Sequence, residues 1–179
     1  MEEKREILIG VTAGIAAYKT CDLVSRLVKS GCGVSVVMTQ NASNLVAPRT
    51  FQALTGRPVS VQMFQGGDAI PHIEPARNAD LFCVAPATAN FLGKAACGLA
   101  DDLLSTLYLA FSGPVLLAPA MNCQMWEKPS VQRNVRQLME DGVHFVGPES
   151  GHLACGEQGT GRMAEPEQIF KRIQELLLR

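Results

Sequence analysis

The sequence predicts an α/β fold of three layers, in which a parallel sheet is covered by helices on both faces. Short apolar runs alternate with segments of helical periodicity along the chain. Several of these runs are apolar at nearly every position, as expected for strands that are buried on both faces. Each run leads into a turn of glycine, proline or small polar residues. Together these observations predict a Rossmann-like or flavodoxin-like architecture.

The first repeating unit begins near the amino terminus. Residues 7–11 form a short apolar run, followed by the turn Thr12-Ala13-Gly14. A helix is predicted next, and its spacing places five side chains on one apolar face: Tyr18, Cys21, Val24, Leu27 and Val28. A second strand is predicted at 34–38.

Three more strands are predicted at 80–85, 114–118 and 143–146. Pro86 and Pro119 are expected in the turns that follow the first two of these. Helices are predicted over 129–141 and from Pro166 onward, where proline suits an early helical position. The segments 65–73 and 147–163 show no apolar periodicity, and unstructured segments of such length are often functional.

Composition bounds the classes of function. The 179 residues suit one domain, 1–179, and 47% of them are hydrophobic, which supplies a core. The formal net charge of −1 and the lack of basic runs argue against nucleic-acid binding. The charged start of the chain is unlike a signal peptide or a membrane anchor. None of the six cysteines forms C-x-x-C, so we expect reduced thiols, a cytoplasmic protein and no metal.

In open α/β sheets, ligands bind at the carboxyl ends of the strands. The turns at 12–14, 39–41, 86–90 and 119–122 are therefore the candidate sites. Gly14 lets the backbone approach an anion at a helix start, but the motif is not G-x-G-x-x-G, so a dinucleotide is not favoured. Thr88 is either a helix cap or a site residue, and Asn122 is either a turn residue or a ligand-binding amide.

Two further residues can each be interpreted in two ways. His72 lies in a Pro/Gly-rich stretch, where histidine is more often a surface or capping group, but its ordinary pKa suits acid–base chemistry. Cys155 lies among small residues in the glycine-rich segment, which favours an exposed and reactive thiol over a core position. His144 and His152 receive no role.

Five motifs occur in an order that resembles the homo-oligomeric flavin-containing cysteine decarboxylases. They are Thr12-Ala13-Gly14-Ile15-Ala16-Ala17-Tyr18-Lys19, His72-Ile73, Pro86-Ala87-Thr88-Ala89-Asn90, Pro119-Ala120-Met121-Asn122-x-x-Met125-Trp126, and Ala154-Cys155-Gly156-Glu157-x-Gly-x-Gly161-Arg162-Met163. The resemblance covers essentially the whole chain. Ala13-Gly14 replaces the commoner Gly-Gly or Gly-Ser, and Phe91 stands where the family often has Thr.

The resemblance implies FMN as cofactor and a homo-oligomer, either a trimer or a trimer-based dodecamer. It implies that the FMN lies against Thr12, Ala13, Gly14, Thr39, Pro86, Ala87, Thr88, Ala89, Asn90, Ala120 and Met121. The implied substrate-binding residues are Asn122, Met125, Gly161, Arg162 and Met163, and the implied catalytic residues are His72, Asn122 and Cys155. The segment 148–164 is expected to be a flexible flap over the substrate.

The family chemistry explains these residue types. Oxidation of a cysteine CH₂–S unit to a thioaldehyde by FMN creates the electron sink that loss of carbon dioxide requires. His72 would take a proton or polarise the thiol during oxidation, Asn122 would hold the carboxylate, and Cys155 would protonate the product. The Ala-Cys-Gly-Glu segment favours the coenzyme A branch, which acts on 4'-phosphopantothenoylcysteine, over the branch that acts on peptidyl-cysteine. A flavin prenyltransferase and a non-catalytic FMN-binding partner protein are two competing hypotheses for the same fold.

Overall fold

Five parallel strands form the central sheet of the computed structural model, which describes residues 4–63, 74–152 and 156–178. The strands in chain order are β1 (Glu6–Val11), β2 (Gly33–Met38), β3 (Leu81–Ala87), β4 (Val115–Pro119) and β5 (His144–Phe145). Their order across the sheet is β2-β1-β3-β4-β5, and every neighbouring pair is parallel. The predicted parallel sheet is therefore confirmed.

Helices cover both faces of this sheet. In chain order they are α1 (Ala17–Lys29), α2 (Pro48–Thr55), α3 (Glu74–Asn78), α4 (Ala89–Cys97), α5 (Leu103–Ala110), α6 (Cys123–Trp126), α7 (Pro129–Glu140) and α8 (Pro166–Leu177). Alternate side chains of β1 point to opposite faces. Ile7 and Ile9 pack in one core with α1, α2 and α8, while Leu8 packs in the other with α4, α5 and α7. The three-layer prediction is confirmed.

A second, two-stranded sheet lies in a segment whose sequence pattern predicts no regular structure. Strands β6 (Glu149–His152) and β7 (Gln158–Arg162) pair in antiparallel fashion. The hydroxyls of Ser150 and Thr160 lie 2.8 Å apart across this pair. The pattern does not reveal these strands because they contain glycine and polar residues and bury no alternating apolar face.

Three local expectations are wrong. Pro86 and Pro119 lie within the ends of β3 and β4 and not in the turns after them. Proline carries no N–H for the ladder, and the β3–β4 register shifts between Val84 and Ala87, around Pro86. Tyr18, predicted on the buried face of α1, is 62% exposed, because Ala17, Thr20 and Leu23 turn toward the sheet instead.

Within the described ranges, no helix has the length and apolar character needed to cross a membrane.

Candidate active site

A cavity of about 1040 Å³ opens at the carboxyl ends of the strands, where the candidate turns are predicted. Its walls come from the turns after β1, β2, β3 and β4 and from the second strand of the hairpin, β7. Elements that are far apart along the chain therefore meet at one site.

Fourteen of the predicted site residues line this cavity. They are Thr12, Ala13, Gly14, Thr39, Thr88, Ala89, Asn90, Ala120, Met121, Asn122, Met125, Gly161, Arg162 and Met163. Pro86 and Ala87 are buried in β3 and are not among the lining residues. His72 and Cys155 lie outside the described residues.

The Thr12 hydroxyl joins the turns after β1 and β3. It donates a hydrogen bond to the Pro86 carbonyl at 2.7 Å and accepts one from the Thr88 N–H at 3.1 Å. Thr12 is only 2% exposed, so this hydroxyl is shielded from water and its two bonds hold the two turns together. Pro86 thus contributes to the cavity through its backbone, although its side chain does not line it.

Two helices that start at the cavity differ in how their first turns are capped. Helix α1 follows Ala16, whose side chain has no group that can accept from the N–H groups of the first turn. Helix α4 follows Thr88, whose hydroxyl accepts from the Phe91 N–H at 3.4 Å. Both interpretations of Thr88 therefore hold in the geometry, because it caps a helix and lines the cavity. The start of α1 offers positive partial charge to an anion.

Asn122 is held by hydrogen bonds at both ends of its amide. Its Oδ1 accepts from the Gln124 N–H at 2.8 Å, which caps the short helix α6. Its Nδ2 donates to Oε2 of Glu157 at 2.6 Å. The first bond determines which way the amide faces, and it leaves the Nδ2 donor pointing to the hairpin side of the cavity. Asn122 is thus both a turn residue and a presented donor.

The Cys123 thiol reaches the same carboxylate. Its Sγ donates to Glu157 Oε2 at 3.3 Å. Burial and the neighbouring Glu157 carboxylate both raise the pKa of Cys123, so the thiol form is favoured. A protonated thiol can serve as a donor at this position.

The hairpin is fixed to the turn after β4 at close range. The Met121 N–H donates to the Gly161 carbonyl at 2.9 Å. A side chain at Gly161 would collide with the Met121 carbonyl oxygen, and one at Gly159 would come within 2.7 Å of the Cys123 Cβ. These two glycines allow β7 to lie directly against the residues around Asn122.

Two cations of the cavity share the carboxylate of Glu165. Lys19 Nζ lies 2.8 Å and an Arg162 guanidinium nitrogen 2.9 Å from Glu165 Oε1. The hydrogen bond from Lys19 lowers the pKa of Glu165, with a smaller contribution from Arg162. Arg162 also pairs with Glu149 at 3.3 Å, yet its buried Nε has no hydrogen-bond partner within the part of the chain that the structure describes. A buried donor of this kind is what a bound ligand would satisfy.

At another part of the wall, Lys94 forms ion pairs with Asp101 at 2.6 Å and Asp102 at 2.7 Å. Burial of Lys94 disfavours its charge, but the hydrogen bonds to the two carboxylates outweigh this and raise its pKa. Asp102 also caps α5 by accepting from the Ser105 N–H. Lys94 is therefore a charged part of the cavity wall whose charge is balanced by these two carboxylates.

Gln40 and Asn41 also line the cavity, and both fall in the candidate turn at 39–41. Sequence reasoning missed eight lining residues, which are Ile15, Ala16, Tyr18, Lys19, Phe91, Lys94, Asp102 and His152. Several of them are sequence neighbours of predicted site residues. A polar or small residue at the end of a strand was the feature that could have identified them. His152 had no such signal, because it lies in a strand that the pattern does not reveal. Among the described residues, no three His, Cys, Asp or Glu side chains are grouped as a metal site.

The fold and the cavity are those of a flavoprotein: the family model described as Flavoprotein matches residues 1–178, and the chain belongs to that family. Within it, the chain groups with cysteine decarboxylases that use a flavin. It is 34% identical to the FMN-dependent cysteine decarboxylase SpaF, with a TM-score of 0.84 over 97% of this chain and 95% of that one. A PPC decarboxylase mutant complexed with pantothenoylaminoethenethiol is 30% identical, with a TM-score of 0.88 over 99% and 100%.

A longer relative points in the same direction. The coenzyme A biosynthesis bifunctional protein CoaBC of Bacillus subtilis is 49% identical over 173 residues. That alignment covers 96% of this chain but 43% of the relative. The chain therefore spans less than half the length of the curated relatives it matches.

Proposed function

We propose that this chain is an FMN-dependent decarboxylase that converts 4'-phosphopantothenoylcysteine to 4'-phosphopantetheine in coenzyme A biosynthesis. The observation that carries the proposal is the Asn122 amide, a hydrogen-bond donor on a residue that lines the same cavity as the turns after β1 and β3. A donor so placed suits a substrate carboxylate next to a flavin. The PPC decarboxylase and CoaBC relatives support the same substrate class.

The cavity fits FMN and a substrate together. Its volume of about 1040 Å³ is at the upper end of the roughly 300–1,000 Å³ that small-molecule sites occupy. The start of α1 suits a phosphate, and the buried Arg162 Nε suits an acceptor that the protein does not supply. When bound, FMN would accept a hydride from the substrate CH₂–S unit and return one after carbon dioxide has left.

The proposed roles of the cavity residues follow their positions. Turn residues from β1, β2 and β3 contact the flavin and its phosphate, as do two residues after β4: Thr12, Ala13, Gly14, Thr39, Thr88, Ala89, Asn90, Ala120 and Met121. Pro86 and Ala87 act through their carbonyls, which accept from the Thr12 hydroxyl and from the Ala120 N–H at 3.1 Å. Substitutions of these two residues would therefore move the contacting residues rather than remove a contact.

The substrate contacts are assigned to residues of the turn after β4, of α6 and of the end of β7. Asn122 binds the carboxylate, and Met125, Gly161, Arg162 and Met163 surround the rest of the cysteine unit. His72 and Cys155 remain predicted acid–base residues, the first for the oxidation and the second for protonation of the product. The segment 148–164 is proposed as the flap that covers the substrate within a single flavoprotein domain.

The assembly of the enzyme and its location in the cell are proposed as well. We infer a homo-oligomer, a trimer or a trimer-based dodecamer, from the family resemblance alone. A cytoplasmic location is supported by the five described cysteines, all of which are free thiols. Size-exclusion chromatography with light scattering tests the assembly directly.

One experiment separates the candidate functions. The purified protein is supplied with FMN and 4'-phosphopantothenoylcysteine, and carbon dioxide and the product mass are measured. The expected product is 4'-phosphopantetheine. The peptidyl-cysteine branch would be favoured if the sole product were an unsaturated enethiol. It would also be favoured if the protein turned over a peptide that ends in cysteine and not 4'-phosphopantothenoylcysteine. FMN binding without decarboxylation would favour a flavin prenyltransferase or a binding protein, which a prenyl phosphate assay distinguishes.

A further inference from the structure

Two donors converge on one oxygen of Glu157. Asn122 Nδ2 lies 2.6 Å and Cys123 Sγ 3.3 Å from Oε2 of this carboxylate. Glu157 is exposed and stands immediately before β7, whereas Cys123 is buried at the start of α6. The arrangement is a carboxylate that accepts from a pair of donors, one of which belongs to the cavity-lining Asn122.

Glu157 is not needed to orient the Asn122 amide. The bond from the Gln124 N–H to Oδ1 already determines the amide direction and would do so with any acceptor on Nδ2. Glu157 therefore occupies one N–H of Nδ2 without setting the direction of the amide. Because the Cys123 thiol has a single hydrogen, a substrate carboxylate that accepts from both Nδ2 and Sγ requires the position that the Glu157 carboxylate holds.

We propose that Glu157 stands in for the substrate carboxylate and is displaced from Asn122 and Cys123 when the substrate binds. This inference rests on the proposed function. Cys123 then acts as the second donor to the substrate carboxylate. Because Glu157 is exposed, water can satisfy its carboxylate when the substrate carboxylate replaces it at the two donors. After carbon dioxide has left, Glu157 returns to the donors, which the product no longer occupies.

The proposal makes Glu157 a residue that discriminates between ligands with and without the carboxylate. Competition from Glu157 weakens binding of a carboxylate-bearing ligand, but a ligand that lacks this group does not compete for the same donors. Removing the Glu157 carboxylate should therefore tighten the binding of ligands that carry a carboxylate and leave the binding of the others unchanged. A purely structural role for Glu157 would weaken both kinds alike.

The test uses the FMN-loaded full chain and two probes that differ by one carboxylate. 4'-Phosphopantothenoylserine keeps the carboxylate and has a hydroxyl that is far harder to oxidise than a thiol, and 4'-phosphopantothenoylethanolamine lacks the carboxylate. Their Kd values are measured by calorimetry for the wild type, Glu157→Gln and Glu157→Ala. Glu127→Gln, which removes the same charge from an exposed residue after α6, is the control.

We expect Glu157→Gln to tighten the serine probe by about fivefold, because a neutral amide is a weaker acceptor than a carboxylate. Glu157→Ala should tighten binding of the serine probe at least as much, and neither variant should change the Kd of the ethanolamine probe. Cys123→Ala should weaken the serine probe, and Cys123→Ser, which keeps a donor, should weaken it less.

Equal or weaker binding of the serine probe to both Glu157 variants overturns the proposal, as does a parallel change for both probes. An equal effect of Glu127→Gln overturns it too, because a general charge effect would then explain the result. If neither probe binds the wild type, the proposed substrate class is wrong and the inference falls with it. If the wild type binds the serine probe and both Glu157 variants bind it with the same Kd, the proposed function stands and only the competition by Glu157 is rejected.

Discussion

Replacing Asn122 by aspartate isolates the donor that the proposed mechanism requires. Asp is as good a helix cap as Asn, so a carboxylate oxygen can still accept from the Gln124 N–H. The variant lacks the Nδ2 donor that lies 2.6 Å from a carboxylate oxygen in the structure. It also brings a negative charge toward the carboxylate of the substrate. The substitution thus changes the chemistry of the site while keeping its shape.

The size of the effect follows from the bond that is lost. A hydrogen bond to a charged group contributes about 1.5–3 kcal/mol, so kcat/KM should fall by about 10- to 150-fold. Charge repulsion adds to this loss. Carbon dioxide release from 4'-phosphopantothenoylcysteine measures the rate, and the flavin absorbance reports whether FMN remains bound. The Tm should fall slightly, because the cap is preserved but the new carboxylate faces that of Glu157.

Asn122→Ser is the matched control for the added charge. Serine is also a good cap, and it removes the amide donor without introducing a carboxylate. We expect its loss of kcat/KM to be smaller than that of the aspartate variant. A wild-type rate for Asn122→Asp with bound FMN would refute the role of the amide. A colourless aspartate variant would place Asn122 in flavin binding instead.

Three other substitutions test the framework of the site and the stability of the fold. Gly161→Ala should lower the Tm and raise KM, because the new methyl group meets a backbone carbonyl, whereas Gly93→Ala, with space in helix α4, should be neutral or stabilising by about 0.5–1 kcal/mol. Equal Tm values for these two variants would contradict the close approach. Thr12→Val should weaken FMN binding and cost about 1–3 kcal/mol of unfolding free energy in denaturant titrations, while serine should restore most of both. The hydrogen bond from Arg57 holds the pKa of Glu6 below its ordinary value of 4.5, so the pair stabilises the fold above that pH and the effect is lost as pH falls through the folded pKa. Glu6→Gln should therefore reduce stability at pH 7 and match the wild type near the acid limit, and a difference that persists in acid would contradict this sign.

The sheet could be predicted because four of its five strands, β1 to β4, are buried along nearly their whole length. Runs such as 34–38 and 114–118 have nearly continuous apolar character, and few other structures produce that pattern. The carboxyl-end rule then placed the turns containing Gly14, Thr88 and Asn122 around one ligand site. These are consequences of local composition and of the parallel topology, and both can be read from one sequence.

The hairpin could not be predicted, because its pairing depends on long-range contacts. Strand β7 is held by the Gly161 carbonyl, which accepts from Met121, and by the space that two glycines leave against α6. Nothing in the local pattern of 158–162 signals those partners. For the same reason the sequence could not show that Glu157 reaches Asn122 or that Arg162 shares Glu165 with Lys19.

The hydrogen bond between Met121 and Gly161 has a consequence for inhibitor design. It joins β7 and the turn after β4 in one mechanical unit, so an inhibitor that lifts β7 would also shift the backbone next to Asn122. A compound with a bulky group directed between the hairpin and this turn would therefore disable the enzyme without resembling its substrate. Resistance by substitution would be difficult there, since the contact is made by backbone atoms that every residue except proline supplies.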